Sequence, residues 1–306
     1  MITEAPRIWT RRPKILEPRD PVLVPLAMGG EFRLRVLRPD GRCRLDTGFF
    51  PNLITNLGLN NPGANSGQYT SISVGTGNTA PNFTDTNLVA RVATTSTDNG
   101  SGYTSNNGTP GDPDWYTSYL LSLRFSQGAA EGNLAEIGVT TSGSPWNCYS
   151  RALILDADGD PTTITVLSDE FLDVSYNHRW YVGSLDDVMD TITVTGSGDH
   201  DIVIRPAELD GGGSNLWRPE FMWAAGSPPD TTTDALAYNG ALGSVTGSPA
   251  GTSSTATSSG NVSYVGDSFE KGFSNTWNLG AGNLAGGLSA QLLTMNYIQS
   301  WARRTL

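Results

Sequence analysis

Apolar stretches in this 306-residue chain are short, and turn-forming residues end nearly every one. The pattern is clearest between Tyr119 and Val182, where the runs are Tyr119–Phe125, Cys148–Leu155 and Thr163–Val174. The second and third are joined by Asp156-Ala-Asp-Gly-Asp-Pro161, and an Asp-Gly turn between β-branched runs predicts a hairpin. The first leads into a turn-rich bend, Gln127–Asn133, followed by Leu134–Val139. With 36 Gly, 18 Pro and only 16% charged residues, short strands are favoured over helices. The expected fold is mainly β: an antiparallel β-sandwich or jelly-roll-like body over residues 49–210. Residues 1–48 precede it as an extended basic arm plus hairpin, and residues 211–306 follow as a β-rich C-terminal region.

The hairpin is Phe32–Leu45, turning at Arg38-Pro-Asp-Gly41. Pro at the second position and Gly at the fourth suit a type I turn. A bulge at Gly41 opposite Arg38 would set Val36 against Cys43, Leu34 against Leu45 and Arg35 against Arg44. One face is then apolar, and the other carries Arg33, Arg35, Arg42 and Arg44. Like charges opposite each other cost up to roughly 1 kcal/mol, so carboxylates are expected nearby, from a partner or from the acidic body.

Before the hairpin, Pro6, Pro13, Pro18, Pro21 and Pro25 forbid a continuous helix and disfavour a central strand. An extended arm is expected, with Ile8, Trp9, Arg11 and Arg12 as contacts to another protein; wrapping of its own domain is the alternative. Charge is unevenly spread. Residues 1–48 carry a net +4 and the remainder −15. An acidic body argues against nucleic-acid binding, and a basic arm suits an acidic docking surface.

Further along, Asn52–Gly58 fits one or two helical turns ended by Gly58. Tyr69–Val74 and Leu88–Val92 read as strands. Gly75-Thr-Gly77 lies in a loop and lacks the rest of a phosphate-binding fingerprint. Residues 93–114 read as a long surface loop, and 190–195 with 201–205 as a hairpin. Gly211–Gly213 is a candidate hinge. Residues 239–263, rich in Ser, Thr, Gly and Ala, read as a mobile loop. The segment ending in Leu292–Trp301 is either a strand of the sheet or an intersubunit contact.

Reactive groups are few. His178 and His200 are the only histidines, and no nucleophile elbow accompanies either. Candidate carboxylate pairs, Asp169/Glu170, Asp186/Asp187/Asp190 and Glu131/Glu136, read as solvated strand ends. Asp156, Asp158 and Asp160 alternate like a calcium loop, but Pro161 and Leu167 break that pattern. Cys43 and Cys148 are expected as buried thiols, with no disulfide and no zinc site. No catalytic, metal or cofactor site is expected, and the chain reads as non-enzymatic. Tyr103, Trp115 and Trp146, beside polar loops, are the candidates for a receptor-facing surface; core packing is the competing role for such aromatics. No apolar run reaches the length of a membrane span, and the N-terminus lacks a signal-like apolar region. The protein is therefore expected to stay in the cytoplasm where it is made.

Phe125-Ser-Gln-Gly-Ala-Ala-Glu-Gly-Asn-Leu-Ala-Glu-Ile-Gly-Val139 resembles a segment recurrent in tail-fibre and related virion proteins of tailed bacteriophages. Ser150-Arg-Ala-Leu-Ile154 and Ile164–Tyr176 resemble the segments that follow it there, and Asn52–Leu59 and Ser73–Pro81 resemble upstream ones. The likeness spans roughly residues 50–210. It implies a virion structural protein, a tail fibre or fibre-like baseplate component assembled in the host cytoplasm. Implied partners are copies of itself, as a trimer, other tail or baseplate proteins, and a host-surface glycan or protein. A carbohydrate-binding module, a head decoration or collar protein, and a glycan-degrading tail enzyme are the alternatives.

Overall fold

The computed structural model describes residues 22–64, 70–105, 114–182, 188–194, 198–204, 236–238, 240, 241, 243, 244, 250, 251, 253–255, 258–261, 264–279 and 291–304. In chain order, Val22–Leu37 (β1), Cys43–Asp46 (β2), Phe50–Pro51 (β3) and Leu53–Ile54 (β4) precede a helix, Asn56–Ala64 (α1). Ser71–Gly75 (β5), Arg91–Thr95 (β6), Gly102–Ser105 (β7), Tyr116–Phe125 (β8) and Gly132–Leu134 (β9) come after it. Next are Glu136–Thr140 (β10), Cys148–Leu153 (β11), Ile164–Val166 (β12) and Phe171–Val182 (β13). The last are Val188–Val194 (β14), Gly198–Ile204 (β15), Leu236–Tyr238 (β16), Ser253–Thr255 (β17), Ser258–Asn261 (β18), Glu270–Leu279 (β19) and Gln291–Arg303 (β20).

The protein is mainly β, as expected, and its body is sandwich-like. A nine-stranded sheet has the order β18-β19-β20-β1-β13-β8-β7, with β2 and β3 also on β1. A five-stranded sheet, β4-β11-β10-β5-β6, is wholly antiparallel. Period-two alternation builds the layer between them. Phe32, Leu34 and Val36 from β1, Leu121, Leu123 and Phe125 from β8, and Leu172, Val174 and Tyr176 from β13 line one side. Ile72, Val74, Ile137, Val139 and Tyr149 come from the other sheet. A second cluster gathers Leu26, Met28, Ile54, Leu59, Trp115 and Trp180.

β1 is the hub. One edge pairs with β13 from Leu26 to Leu37. The other takes three partners in turn: β20 in parallel over Val22–Met28, β3 at Glu31–Phe32, and β2 at Arg35–Leu37. Prolines were expected to keep this segment out of a central strand, yet Pro25 lies within β1. Among the described residues, pairing to β13 begins at Leu26 and Pro25 pairs with β20 alone, which leaves one ladder fewer to break there. The later part of the expected arm therefore belongs to the body, whereas Ile8, Trp9, Arg11 and Arg12 lie outside the described residues.

The hairpin turn forms as expected, with Gly41 N donating to Arg38 O at 2.9 Å and Gly41 at φ 80°. Its register differs. Leu37 pairs with Cys43, Val36 with Leu45 and Arg35 with Asp46, so the bulge falls at Arg44 and not at Gly41. Arg35 thus faces a carboxylate instead of Arg44, and the like-charge cost is avoided. The apolar face, Phe32, Leu34 and Val36, is fully buried in the chain's own core, so the hairpin needs no partner to cover it.

Other expectations change in the same way. The turn at Asp156–Asp160 closes, with Asp156 N donating to Asp160 O at 2.9 Å, but pairing beyond it is a single bridge, Leu155 to Pro161. The flanking runs then part: β11 joins the five-stranded sheet and β12 pairs with β9. Pro161 brings no N–H to extend the ladder. The third apolar run is split by a turn at residues 167–170 into β12 and β13. The helix continues past Gly58 to Ala64, capped by Thr55 Oγ1, which accepts from Gly58 N at 3.1 Å. Residues 93–105 hold the end of β6 and all of β7, and the Ser/Thr/Gly/Ala tract contributes β17 and β18, where an uninterrupted loop was expected. β14 and β15 form the expected hairpin, and β20 lies inside the main sheet. Gly211–Gly213 lie outside the described residues.

Candidate functional site

The outer side of the five-stranded sheet carries a buried ionic cluster. Glu136 on β10 and Arg151 on β11 are both fully buried. Glu136 Oε2 accepts from Arg151 Nε at 2.9 Å and Val89 N at 3.1 Å; Oε1 accepts from Ala90 N at 2.7 Å and Gly77 N at 3.1 Å. Arg151 also donates from Nη1 to Asp85 at 2.7 Å and from Nη2 to Thr79 O at 2.7 Å. From the Gly75-Thr-Gly77 segment the Gly77 N–H does meet an anion, but the anion is the chain's own carboxylate. A Cβ at Gly77 would stand 2.5 Å from Glu136 Oε1, which explains the glycine. The two resembling segments that hold Glu136 and Arg151 therefore meet as one ion pair. Its work is to pin residues 77–90 over the sheet. Sequence reasoning set Glu136 among the solvated carboxylates and passed over Arg151.

The basic hairpin finds its carboxylates within the chain. Arg33 forks onto Asp46 at 2.9 and 2.6 Å, and Arg35 lies 3.7 Å from the same carboxylate. Arg44, pushed out by the bulge, forks onto Glu170 and also donates to Thr165 O at 2.6 Å. Arg33 and Arg44 hold the carboxyls of Asp46 and Glu170 below their usual range. Arg42 is exposed, 3.6 Å from Asp40. The exposed charge left on this face is thus much smaller than the four arginines suggest.

The other reactive groups are held by the fold. His178 is buried on β13 between Tyr176 and Trp180, with ring centroids 6.0 and 5.6 Å away, and burial holds its pKa well below the ordinary value. His200 lies in β15 and not in a turn. Cys148 is buried, its thiol pushed up to about 12 by desolvation, whereas Cys43 is exposed, contrary to expectation; both are free. Asp156 Oδ1 accepts from the backbone N of Asp158 and Asp160, both at 3.0 Å, tying the turn. Among the described residues no group of three or more His, Cys, Asp or Glu is placed to hold a metal ion.

The three candidate aromatics separate. Trp115 is 3% exposed in the second core cluster, so it does not face a receptor. It directly precedes β8, whose packing draws it inward. Tyr103 is in β7, paired with Tyr119. Trp146 stays at the surface, half-buried, in the loop joining β10 to β11. Its φ of 52° is unusual for a bulky residue. Trp146 N donates to Gly143 O at 2.8 Å, and Thr141 N to Asn147 O at 3.0 Å. With its amide oriented to satisfy its neighbours, Asn87 donates to the carbonyls of Pro145 and Trp146 at 2.8 and 3.0 Å. The Arg91 guanidinium lies over the indole, 4.0 Å from its centroid, and Nη1 donates to Thr94 Oγ1 at 3.2 Å. Arg91 and Asn87 are more than 50 residues from Trp146 in sequence, and no local spacing pointed to them.

No protein-family model, curated protein or solved structure matches the chain.

Proposed function

We propose that the chain is a non-enzymatic structural protein of a tailed-phage virion, a tail fibre or fibre-like baseplate component. Its N-terminal arm anchors it, and its body contributes to host attachment. The observation that supports this reading is the meeting of Glu136 and Arg151. Each belongs to a segment with the virion-protein resemblance, and together they clamp the 77–90 loop from within. Among the described residues β7 and β18 end the main sheet, and closed trimeric assembly would cover such edges. The partners in this reading are further copies of the chain, other tail or baseplate proteins, and a host-surface glycan or protein. Nucleic acid and membrane insertion have no part in it.

Antibody against the purified chain, applied to particles of the phage that encodes it, tests the assignment by electron microscopy. Labelling of the tail is expected. Labelling of the head or collar moves the protein elsewhere in the virion, and particles without label refute the reading. Removing residues 1–20 tests the arm: the shortened chain should fold and yet be missing from particles.

A further inference from the structure

The pair Arg91–Trp146 has the makings of a ligand site, and we infer that it binds an acidic saccharide, a sugar bearing a carboxylate, at the host surface. The inference rests on the host-attachment reading above. Arg33, Arg44, Arg124, Arg151 and Arg179 each meet a carboxylate of the chain. Arg91 meets none among the described residues: its only polar contact is the Thr94 hydroxyl, made by Nη1. Arg91 instead lies over an indole, 4.0 Å from the ring centroid, which holds it without neutralising it. Nε and Nη2 remain as a fork for a carboxylate, the geometry that makes arginine the preferred partner of that group.

The indole supplies the other half. Trp146 is held in a left-handed backbone conformation by the turn at Gly143 and by Asn87 beneath it. Strain of this kind persists where surrounding structure over-determines it, and it often marks ligand contacts. Arg91 stands at the first residue of edge strand β6, and Thr94, which steadies it, is tied in turn to Ser73 at 2.6 Å. The guanidinium is therefore presented from a strand, and the ring from a loop tied by the hydrogen bonds at Gly143 and Asn87. The exposed part of the indole, next to the two N–H groups of a cation stacked on it, suits the apolar carbons and the carboxylate of one acidic sugar unit. The acidic body disfavours polyanions such as nucleic acid, which confines recognition to a single carboxylate. One such site binds weakly, and several copies on one particle raise the avidity.

Saturation-transfer NMR on the full chain, with 3′-sialyllactose, a glucuronic-acid-terminated trisaccharide and neutral lactose as probes, tests the site. Transfer to at least one acidic sugar and not to lactose is expected, weakening with added salt. Arg91→Ala and Trp146→Ala should each reduce binding by at least tenfold. Arg91→Lys, which keeps the charge but loses the fork, should fall between them and the native chain. Circular dichroism and the thermal midpoint check that each variant folds. Absence of transfer to either acidic sugar overturns the site, as does equal transfer to lactose. Binding indifferent to Arg91→Lys and Arg91→Ala, or Arg91-dependent capture of an Asp/Glu-rich peptide in place of sugar, overturns it too. Particle labelling is read separately, so a tail protein that ignores these sugars loses the site alone, and a sugar-binding chain absent from particles loses the virion reading alone.

Discussion

Arg151 shows how little a residue's type reveals about its use. In the sequence it is one of 19 basic residues; in the fold it is a fully buried cation against a fully buried carboxylate. Removing one partner of such a pair leaves an uncompensated charge in a dry place, at about 3–5 kcal/mol. Arg151→Met leaves Glu136 its three backbone donors, so it should sit near the lower end of that range. Glu136→Leu leaves Arg151 with Asp85 as its one carboxylate and orphans three N–H groups as well, and should cost more. Urea unfolding midpoints of the two variants check the order, and the reverse order would show that the backbone donors contribute little. His178 sets a second test at this scale. Its folded pKa lies below the unfolded value near 6.5, so the unfolded chain takes up the proton first as pH falls. Stability is then complete above about pH 6.5 and drains below it, by up to about 1.4 kcal/mol per pH unit. Asp46 and Glu170 act lower: their depressed carboxyls stabilise above the unfolded carboxylate range, near pH 4, and lose that contribution as pH falls through it. Unfolding measured from pH 7 to pH 5 should therefore slope in the native chain and flatten in His178→Gln.

At the scale of elements, the contrast between the two expected Asp-Gly hairpins is informative. Both turns form, since Asp-Gly supplies the glycine backbone freedom locally: Gly41 and Gly159 have φ of 80° and 86°. The path of the chain after each turn is decided elsewhere. β2 stays with β1 because Leu34 and Val36 must face the core, and the bulge at Arg44 delivers its side chain to Glu170. β11 and β12 separate because their inward residues are buried beside different strands. Gly58 makes the same point for the helix. Taken alone, Gly58→Ala should favour α1 by roughly 1 kcal/mol. A Cβ there would stand 2.1 Å from the Tyr149 carbonyl oxygen on β11, and overpacking against backbone costs about 1–3 kcal/mol. The net change expected is destabilisation, read as a lowered thermal midpoint; a raised midpoint would mean that α1 can lift away from β11 freely.

For the whole molecule, the part of the expected arm from Val22 to Glu31 is what changed place. The chain from Val22 onward is woven into the main sheet between β13 and β20, so truncations before and after that point should differ in kind. In the anchoring reading proposed above, loss of residues 1–20 should leave the thermal midpoint nearly unchanged. Loss of 1–31 removes the ladder to β20 and the buried side chains of Leu26 and Met28, and should prevent folding. Limited proteolysis and calorimetry of the two truncated chains separate these outcomes. An anchoring defect seen only with the longer deletion would be a folding defect.

Near neighbours along the chain account for the β character, the positions of most turns, the alternation that marks the inward faces, and Trp146 as a surface aromatic. These features were legible in the residues alone because steric and periodic preferences are expressed by a few adjacent positions. The register at Arg44, the passage of Pro25 through a hub strand, the burial of Trp115, the Glu136–Arg151 clamp and the pairing of Arg91 with Trp146 came only with folding. Each depends on which distant strand lies alongside, and that is set by how two whole sheets bury their inner faces against each other.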